Sequence, residues 1–349
     1  MAGKIGQYFK DRKNDTQDFG GGSVVGKLVL VLVVIYVLVT LVLGMIWSSE
    51  PDNFSVREYT RSVANEMQRE PVTGFATTVT IIRVAETLLD KSGGYITNDI
   101  FPPGVWMDNM PHWEYGVLVQ LRDLSSALRK DISRSQSQSA EDRDLTIAEP
   151  QFHFDNSSWA IPSTEAEYRR GIKALKSYLN RLSRPDDPDA QFFARADNLA
   201  NWLANLETRL GSLSRTLGES VGKPSVSDAV ANINADDPLA EDTQTKEVKT
   251  DWTEIDDVFY EARGSSWALL HIFRAIEVDF RSVLRDKNAL SSVKQVIIEL
   301  EGAQRDMWSP VVLNGDGFGV LANHSLTMAA YLSRASAAIS DMRDLLSRG

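Results

Sequence analysis

The sequence predicts an all-α protein, in which one N-terminal transmembrane helix is followed by an elongated bundle of long amphipathic helices. An uncharged apolar run near the N-terminus predicts the transmembrane helix. Through most of the remaining chain, apolar residues recur every three or four positions, and no convincing strand-like alternation interrupts them. Hydrophobic residues make up 43% of the 349 residues, so the part after the apolar run can bury a substantial core.

The first predicted element is a transmembrane helix at residues 24–47. Residues 28–47 (LVLVLVVIYVLVTLVLGMIW) contain no charged side chain, and at ~1.5 Å per residue their length matches the ~30 Å hydrocarbon core of a bilayer. A cleaved signal peptide would have an apolar region of ~7–15 residues followed by a site of small residues. Residues 44–50 contain no such site. We therefore expect an uncleaved anchor whose partner is the lipid bilayer, through residues 24–47.

The charges on either side of the apolar run predict its orientation. The net charge is +2 through Trp47 and −13 over the remaining residues, and the first basic residue after the run is Arg57. Because basic residues favour the cytoplasmic side, we expect residues 1–23 to be a cytoplasmic tail and the large domain to lie across the membrane. Its acidic charge argues against nucleic acid as a partner. The absence of cysteine excludes disulfides and thiolate chemistry.

The remaining chain carries apolar stripes typical of helices that pack in bundles. One stripe runs from Phe192 to Leu217 and another from Trp252 to Val283. The predicted helices cover residues 55–70, 71–91, 118–132, 168–182 (after a capping box at Thr164 and Glu167), 189–221 (capped by Asp187, with Pro188 in its first turn), 251–286 and 321–346.

Residues 223–250 are polar, acidic and poor in large apolar side chains, which is typical of a flexible linker. They divide the domain into a first half at residues 51–222 and a second half at residues 251–349. The stripes on both sides are compatible with one bundle, with two separate domains, or with a homo-oligomer.

Three predicted loops, residues 93–113, 151–162 and 307–318, are rich in aromatic residues. Long loops are often functional. The simpler interpretation, which we favour, is that these aromatics cover the ends of the bundle core. The alternative is a surface that binds a glycan, a peptide or a partner protein, with aromatic side chains as its main contacts. The candidate contact residues are Tyr95, Trp106, Asp108, Asn109, His112, Trp113, Trp159 and Trp308.

The sequence favours a protein that is not an enzyme, and it indicates no cofactor or metal. No nucleotide-binding or nucleophile motif is present, and none of the four histidines is spaced as a metal pair on a helix. Asp108, Glu114 and Asp155 lie near aromatic residues, as a glycosidase carboxylate pair would. With 48 acidic residues in the chain, such coincidences are expected.

Several segments resemble a bacterial family of single-pass envelope proteins from Gram-negative bacteria, domain-of-unknown-function family 2333. They are residues 93–124 (GGYITNDIFPPGVWMDNMPHWEYGVLVQLRDL), 134–145 (RSQSQSAEDRDL), 154–159 (FDNSSW) and 194–214 (ARADNLANWLANLETRLGSLS). The resemblance extends over nearly the whole chain. It implies the bacterial inner membrane, and it implies no activity or catalytic residue. Together with the orientation expected from the flanking charges, this predicts a cytoplasmic N-terminus and a periplasmic C-terminal domain.

The leading hypothesis is a structural or interaction protein of the cell envelope that binds another envelope protein or a glycan. An envelope enzyme acting on peptidoglycan or another glycan is the first alternative. A periplasmic ligand-sensing bundle is the second, and it would have to signal through a partner because few residues precede the apolar run.

Overall fold

A computed structural model describes residues 24–134, 140–184, 190–225, 246–309, 311–315 and 320–348. The chain divides into two compact units, Met1–Trp47 and Ser48–Gly349. The predicted tail at residues 1–23 lies outside the described residues, as does most of the predicted linker. The predicted all-α class is confirmed.

In the first unit, helix α1 covers Val24–Trp47. Among the described residues it is the one helix long and apolar enough to cross a membrane, and 18 consecutive residues within it have a mean hydropathy of 3.2. Thr40, a polar residue in its middle, donates its hydroxyl to the carbonyl oxygens of Tyr36 and Val37, at 3.0 and 2.9 Å. The hydroxyl is therefore satisfied within the helix and does not oppose an apolar environment.

The second unit is built from helices and one small ribbon of two strands. Its helices are α2 (Val56–Met67), α3 (Phe75–Asp90), α4 (Asn109–Ala127, continued by a π-helical turn at Leu128–Ile132), α5 (Leu145–Phe152), α6 (Thr164–Leu182), α7 (Ala196–Gly218), α8 (Ile255–Asp279), α9 (Arg281–Asp286), α10 (Leu290–Ala303) and α11 (His324–Ser347), with 3₁₀ turns at Gly104–Trp106 and Glu219–Val221. The sequence patterns did not predict α5 or α10.

Helix α8 is the central element of this unit. It packs on α3 and α4 from the first half of the chain and on α10 and α11 from the second, while α7 packs along α11. Nearly every residue from Ala262 to Ile276 is buried. The sequence left open whether the two halves form one bundle or two domains. Because both halves pack on α8, they share one core.

Two glycines let α4 and α8 approach closely. A Cβ added at Gly264 of α8 would collide with the carbonyl oxygen of Trp113, and one added at Gly116 of α4 would collide with the carbonyl oxygen of Glu261. Next to this crossing, the rings of Trp113 and Trp267 pack with centroids 5.3 Å apart. The backbone contact brings these large side chains together in the core.

The segment from Glu50 to Arg57 runs along α8 in the same direction as the helix. Glu50 pairs with Arg263. Phe54 stacks on the His271 ring, with centroids 3.9 Å apart, and its N–H donates to Nε2 of His271 at 3.1 Å. Arg57 then pairs with Glu277 at 3.2 Å. The chain is thus fixed to successive turns of α8 before and as it enters α2.

The predicted start of helix 189–221 is wrong, because residues 190–195 are not helical and α7 begins at Ala196. Phe193 donates its N–H to the carbonyl oxygen of Ile132 at 2.7 Å. Tyr178 donates its hydroxyl to the carbonyl oxygen of Gln191 at 2.6 Å. These tertiary hydrogen bonds replace the helical ones. The predicted cap Asp187 and the predicted first-turn Pro188 lie outside the described residues.

Other predicted boundaries shift as well. Helix α3 begins after Gly74, whose φ of 89° needs a glycine, and not at residue 71. Ser163 caps α6 by accepting the N–H of Ala166, so the predicted capping box is one residue out of place. The predicted helix 251–286 begins at Ile255 and is interrupted at Phe280, between α8 and α9. The predicted helix 321–346 begins at His324, after an Asn323 cap that accepts the N–H of Leu326.

The predicted linker is structured at both of its ends. Strand β1 (Lys223–Ser225) pairs antiparallel with β2 (Lys246–Val248). The Thr250 N–H then donates to the carbonyl oxygen of Glu219 at 3.2 Å. The two ends of the predicted linker therefore pair with each other, and residues 226–245 between the strands lie outside the described part.

Candidate interaction surface

The first aromatic loop is held by a carboxylate that lies inside the protein. Glu114 of α4 is fully buried and forms an ion pair with Lys91, which is itself almost fully buried. Its two oxygens also accept the backbone N–H groups of Ile96 and Thr97, each at 2.8 Å, and the hydroxyl of Thr97. Because a buried charge requires this many partners, the loop backbone at residues 94–97 is fixed against α4.

The first loop in turn holds the second loop. The Tyr95 hydroxyl donates to the carbonyl oxygen of Asn156 at 2.9 Å. The side-chain amide of Asn98 donates both to the carbonyl oxygen of Ser158 and to a carboxylate oxygen of Glu165, each at 2.9 Å. Burial raises the pKa of Tyr95 well above its usual range, so the hydroxyl keeps its proton for this bond. The two loops therefore form one connected structure.

These connected loops carry large apolar side chains that face solvent. We call this set the aromatic surface; it consists of Ile100, Phe101, Val105, Trp106, Trp159 and Ile161. Trp106 and Trp159 are 62% and 63% exposed, and Phe101 is 74% exposed. Large apolar residues concentrated on ordered loops are unusual for a surface without a partner. The interpretation that the loop aromatics cover the core does not account for these residues.

Two of the predicted contact residues belong to the core instead. Trp113 has no exposed surface and packs on Trp267, and Tyr95 is 5% exposed and packs edge-on against Tyr168 at 5.8 Å. For these two, covering the core is the correct interpretation. Neither can touch a partner directly, because almost none of either side chain reaches the surface.

Three further predicted residues lie at the start of α4. Asp108 accepts the N–H of Asn109 at 2.9 Å, and both side chains reach the surface. His112 lies one turn further and places its Nε2 3.2 Å from a carboxylate oxygen of Asp257 at the start of α8. Burial raises the pKa of Asp257, and the facing His112 partly offsets this. Asp108, Asn109 and His112 all lie within six residues after Trp106 in the chain.

The third aromatic loop lies beside a different site. Trp308, 98% exposed, borders a cavity of about 540 Å³ whose lining includes Phe259, Arg263 and Tyr331. No described residue in that lining comes from the first two loops. The three loops therefore do not converge on one pocket within the described part of the chain.

The carboxylates considered for glycoside hydrolysis are not arranged for it. Glu114 is fully buried, and Lys91 and loop donors occupy both of its oxygens. The N–H and hydroxyl of Ser157 donate to Asp155 and lower the pKa of its carboxyl group, the opposite of what a general acid needs. Among the described residues, no three His, Asp or Glu side chains are grouped in a way that would hold a metal ion.

Four members of the aromatic surface are not among the contact residues predicted from the sequence: Ile100, Phe101, Val105 and Ile161. The sequence signal that could have identified these four residues is the proline next to them. Pro102, Pro103 and Pro162 interrupt helical pairing beside these residues, so the apolar side chains there belong to no helical stripe.

Comparison with protein families gives one match. A family model described as "Uncharacterized protein conserved in bacteria (DUF2333)" matches residues 21–349. The chain belongs to the DUF2333 family. The match confirms the resemblance noted from the sequence, and the matched range of this DUF2333 protein includes α1, the aromatic surface and Trp308. No curated protein and no solved structure matches the chain.

Proposed function

We propose that this DUF2333 protein is a membrane-anchored interaction protein of the bacterial envelope, whose periplasmic domain binds another envelope protein through the aromatic surface. The observation that carries the proposal is the exposure of Trp106, Trp159 and Phe101 on loops that the buried Glu114 holds in place. Exposed tryptophans on a rigid support lose little conformational entropy on binding and commonly dominate interface energies.

The charge of the domain indicates the kind of partner. The residues after Trp47 carry a net charge of −13, and Asp99 and Asp108 lie within the first loop beside the exposed aromatics. Complementary charge favours encounter with a partner whose facing surface is basic. We therefore expect a basic protein surface with an apolar cleft that receives Trp106 or Trp159.

Photo-crosslinking in living cells tests the partner. A photoreactive residue replaces Phe101 in one variant and Trp252 in a control, because Trp252 is also highly exposed but lies outside the aromatic surface, just before α8. We expect a discrete protein adduct from position 101 that disappears when Trp106→Ser and Trp159→Ser are added. Equal adducts from both positions, or an adduct that carries glycan and no protein, would reject the proposed partner.

Membrane topology is tested separately, and the absence of cysteine makes this direct. Gln7→Cys introduces a thiol in the N-terminal tail, and Lys173→Cys introduces one on the exposed face of α6. A membrane-impermeant maleimide should label Cys at position 173 in intact spheroplasts and Cys at position 7 only after permeabilisation. The reverse pattern would place the domain in the cytoplasm.

A further inference from the structure

One arginine connects the entry of the second unit to the loop that carries Trp308. Arg263 of α8 donates to both carboxylate oxygens of Glu50, at 2.7 to 3.1 Å. The same guanidinium donates to the carbonyl oxygens of Ala303 and Arg305, at 2.9 and 2.8 Å. Arg263 is only 8% exposed, so this is a built junction and not a chance surface pair.

Glu50 is tied closely to the end of the apolar helix by the chain itself. Only Ser48 and Ser49 lie between Trp47 and Glu50. Since a residue spans at most about 3.6 Å, Glu50 stays within about 11 Å of the residue at which α1 ends. If α1 crosses a bilayer, Glu50 and the loop that shares its arginine lie close to the surface of that bilayer.

The loop itself is ordered and carries exposed apolar side chains. We call residues 305–309, 311–315 and 320–323 the Trp308 loop. The Leu313 N–H donates to Nδ1 of His324 at 2.9 Å. The His324 N–H donates in return to the carbonyl oxygen of Leu313, also at 2.9 Å. The N–H of Gly315 donates to the carbonyl oxygen of Ala322 at 3.0 Å. The exposed apolar members are Trp308, Val311, Val320 and Leu321.

We propose that the Trp308 loop lies in the headgroup region of the bilayer that holds α1, with Trp308 as its main contact. The proposal rests on the membrane anchoring proposed above. Tryptophan prefers this region because its ring is apolar and its N–H needs a polar partner. The exposed Arg305 can reach lipid phosphates from the same loop.

The charge of the unit determines which lipids the loop can use. Asp306 is exposed beside Arg305, and the residues after Trp47 carry a net charge of −13. Anionic lipid would repel this surface. The contact therefore depends on aromatic and apolar insertion, and neutral phosphatidylcholine is a sufficient bilayer.

The test places one spin label at a time on the full-length protein in phosphatidylcholine vesicles. Val37→Cys reports on α1, Val311→Cys on the Trp308 loop, and Trp159→Cys on the aromatic surface as an aqueous reference. Collision with oxygen, which enters lipid, is compared with collision with a water-soluble nickel chelate. We expect nickel collision at position 311 to be several-fold lower than at position 159, with oxygen collision retained.

Three other outcomes would each reject the loop contact, the anchoring of α1, or both. Nickel collision at position 311 equal to that at position 159, with position 37 in lipid, would reject the loop contact and leave the anchoring intact. Nickel collision at position 37 would reject the anchoring and the loop contact together. Protection of position 311 from both reagents would indicate a protein contact and would also reject the proposal.

A second variant tests whether Trp308 is responsible. Trp308→Ser in the Val311→Cys background should raise nickel collision at position 311 towards the aqueous value. The matched change Trp159→Ser in the same background should leave it unchanged. An unchanged value with Trp308→Ser would show that Trp308 does not hold the loop at the membrane.

Discussion

Lys91 and Glu114 form an ion pair with both side chains buried, directly beneath the first aromatic loop. The Lys91 ammonium also donates to the carbonyl oxygen of Gly94. Glu114 accepts the N–H groups of Ile96 and Thr97. The pair therefore determines the position of the loop that carries Phe101 and Trp106.

Breaking this pair should destabilise the second unit strongly. Lys91→Met leaves the Glu114 carboxylate buried without its counter-charge, which costs about 3–5 kcal/mol. Lys176→Met is the matched control, because its ion pair with Glu86 is largely exposed on the lysine side and is expected to contribute no more than about 1 kcal/mol. Urea titration of the full-length protein in detergent, followed by circular dichroism, measures both. Equal losses of unfolding free energy in the two variants would show that the buried Lys91 pair contributes no more to stability than the exposed Lys176 pair.

The close contact of α4 and α8 should not tolerate a methyl group. Gly264→Ala forces its Cβ against the Trp113 carbonyl oxygen, and we expect a loss of about 1–3 kcal/mol from the overpacking. Gly211 of α7 has no atom near its added Cβ. Gly211→Ala should therefore stabilise the protein by about 0.5–1 kcal/mol, through helix propensity alone. The same urea titration distinguishes the opposite signs.

The tryptophans of the first loops should fall into two groups in stability measurements. Trp113→Ala removes a fully buried side chain, and we expect a loss of about 3–5 kcal/mol. Trp106→Ser and Trp159→Ser change exposed side chains and should alter stability by no more than about 0.5 kcal/mol each. A large loss from Trp106→Ser would show that this residue supports the fold, and the proposed binding role would lose its basis.

His271 should make the second unit less stable in mild acid. Burial lowers its pKa to about 4, from 6.5, and its Nε2 accepts the N–H of Phe54 only when the ring is neutral. In the unfolded chain His271 becomes protonated below pH 6.5, whereas in the folded protein it stays neutral down to about pH 4. The free energy of unfolding therefore has its full value, as far as His271 is concerned, above pH 6.5. It decreases as the pH falls from 6.5 to 4, by up to about 3 kcal/mol.

Other groups respond to pH as well, so the His271 effect is measured as a difference. Burial also lowers the pKa of His324, which adds to the loss, whereas it raises the pKa of Glu261 and Asp279, which opposes it. His271→Gln keeps an acceptor for Phe54 and should reduce the dependence of the urea midpoint on pH between 4 and 6.5. An NMR titration that finds His271 protonated at pH 6 in the folded protein would contradict the prediction.

The sequence predicted the helices well where the pattern was local. The stripe from Leu199 to Leu217 is buried in α7, because a repeat of three and four residues by itself defines one helix face. Phe192 continues that stripe in sequence but not in structure. Its ring packs on Phe280 with centroids 5.6 Å apart, and such a long-range contact leaves no trace in the local pattern.

The candidate site was only partly predictable for the same reason. Trp106, Trp113 and Trp159 look alike as loop aromatics in the sequence, yet Trp113 lies in the core because Gly264 admits the α4 backbone. Glu114 resembled a candidate acid and instead holds the loop together. Burial depends on which helices cross, and periodicity does not specify crossings.

The alignment of residues 50–57 with α8 also affects how the folded unit would bear mechanical load. Tension applied at Ser48 along the direction of α8 acts on contacts to Arg263, His271 and Glu277 together. Contacts arranged in line with a pulling force are sheared at once, whereas contacts arranged across it open one by one. Because these three contacts share the load, force applied from the N-terminal side passes directly into α8. Pulling from the N-terminal side should therefore meet its highest resistance at the start of the extension.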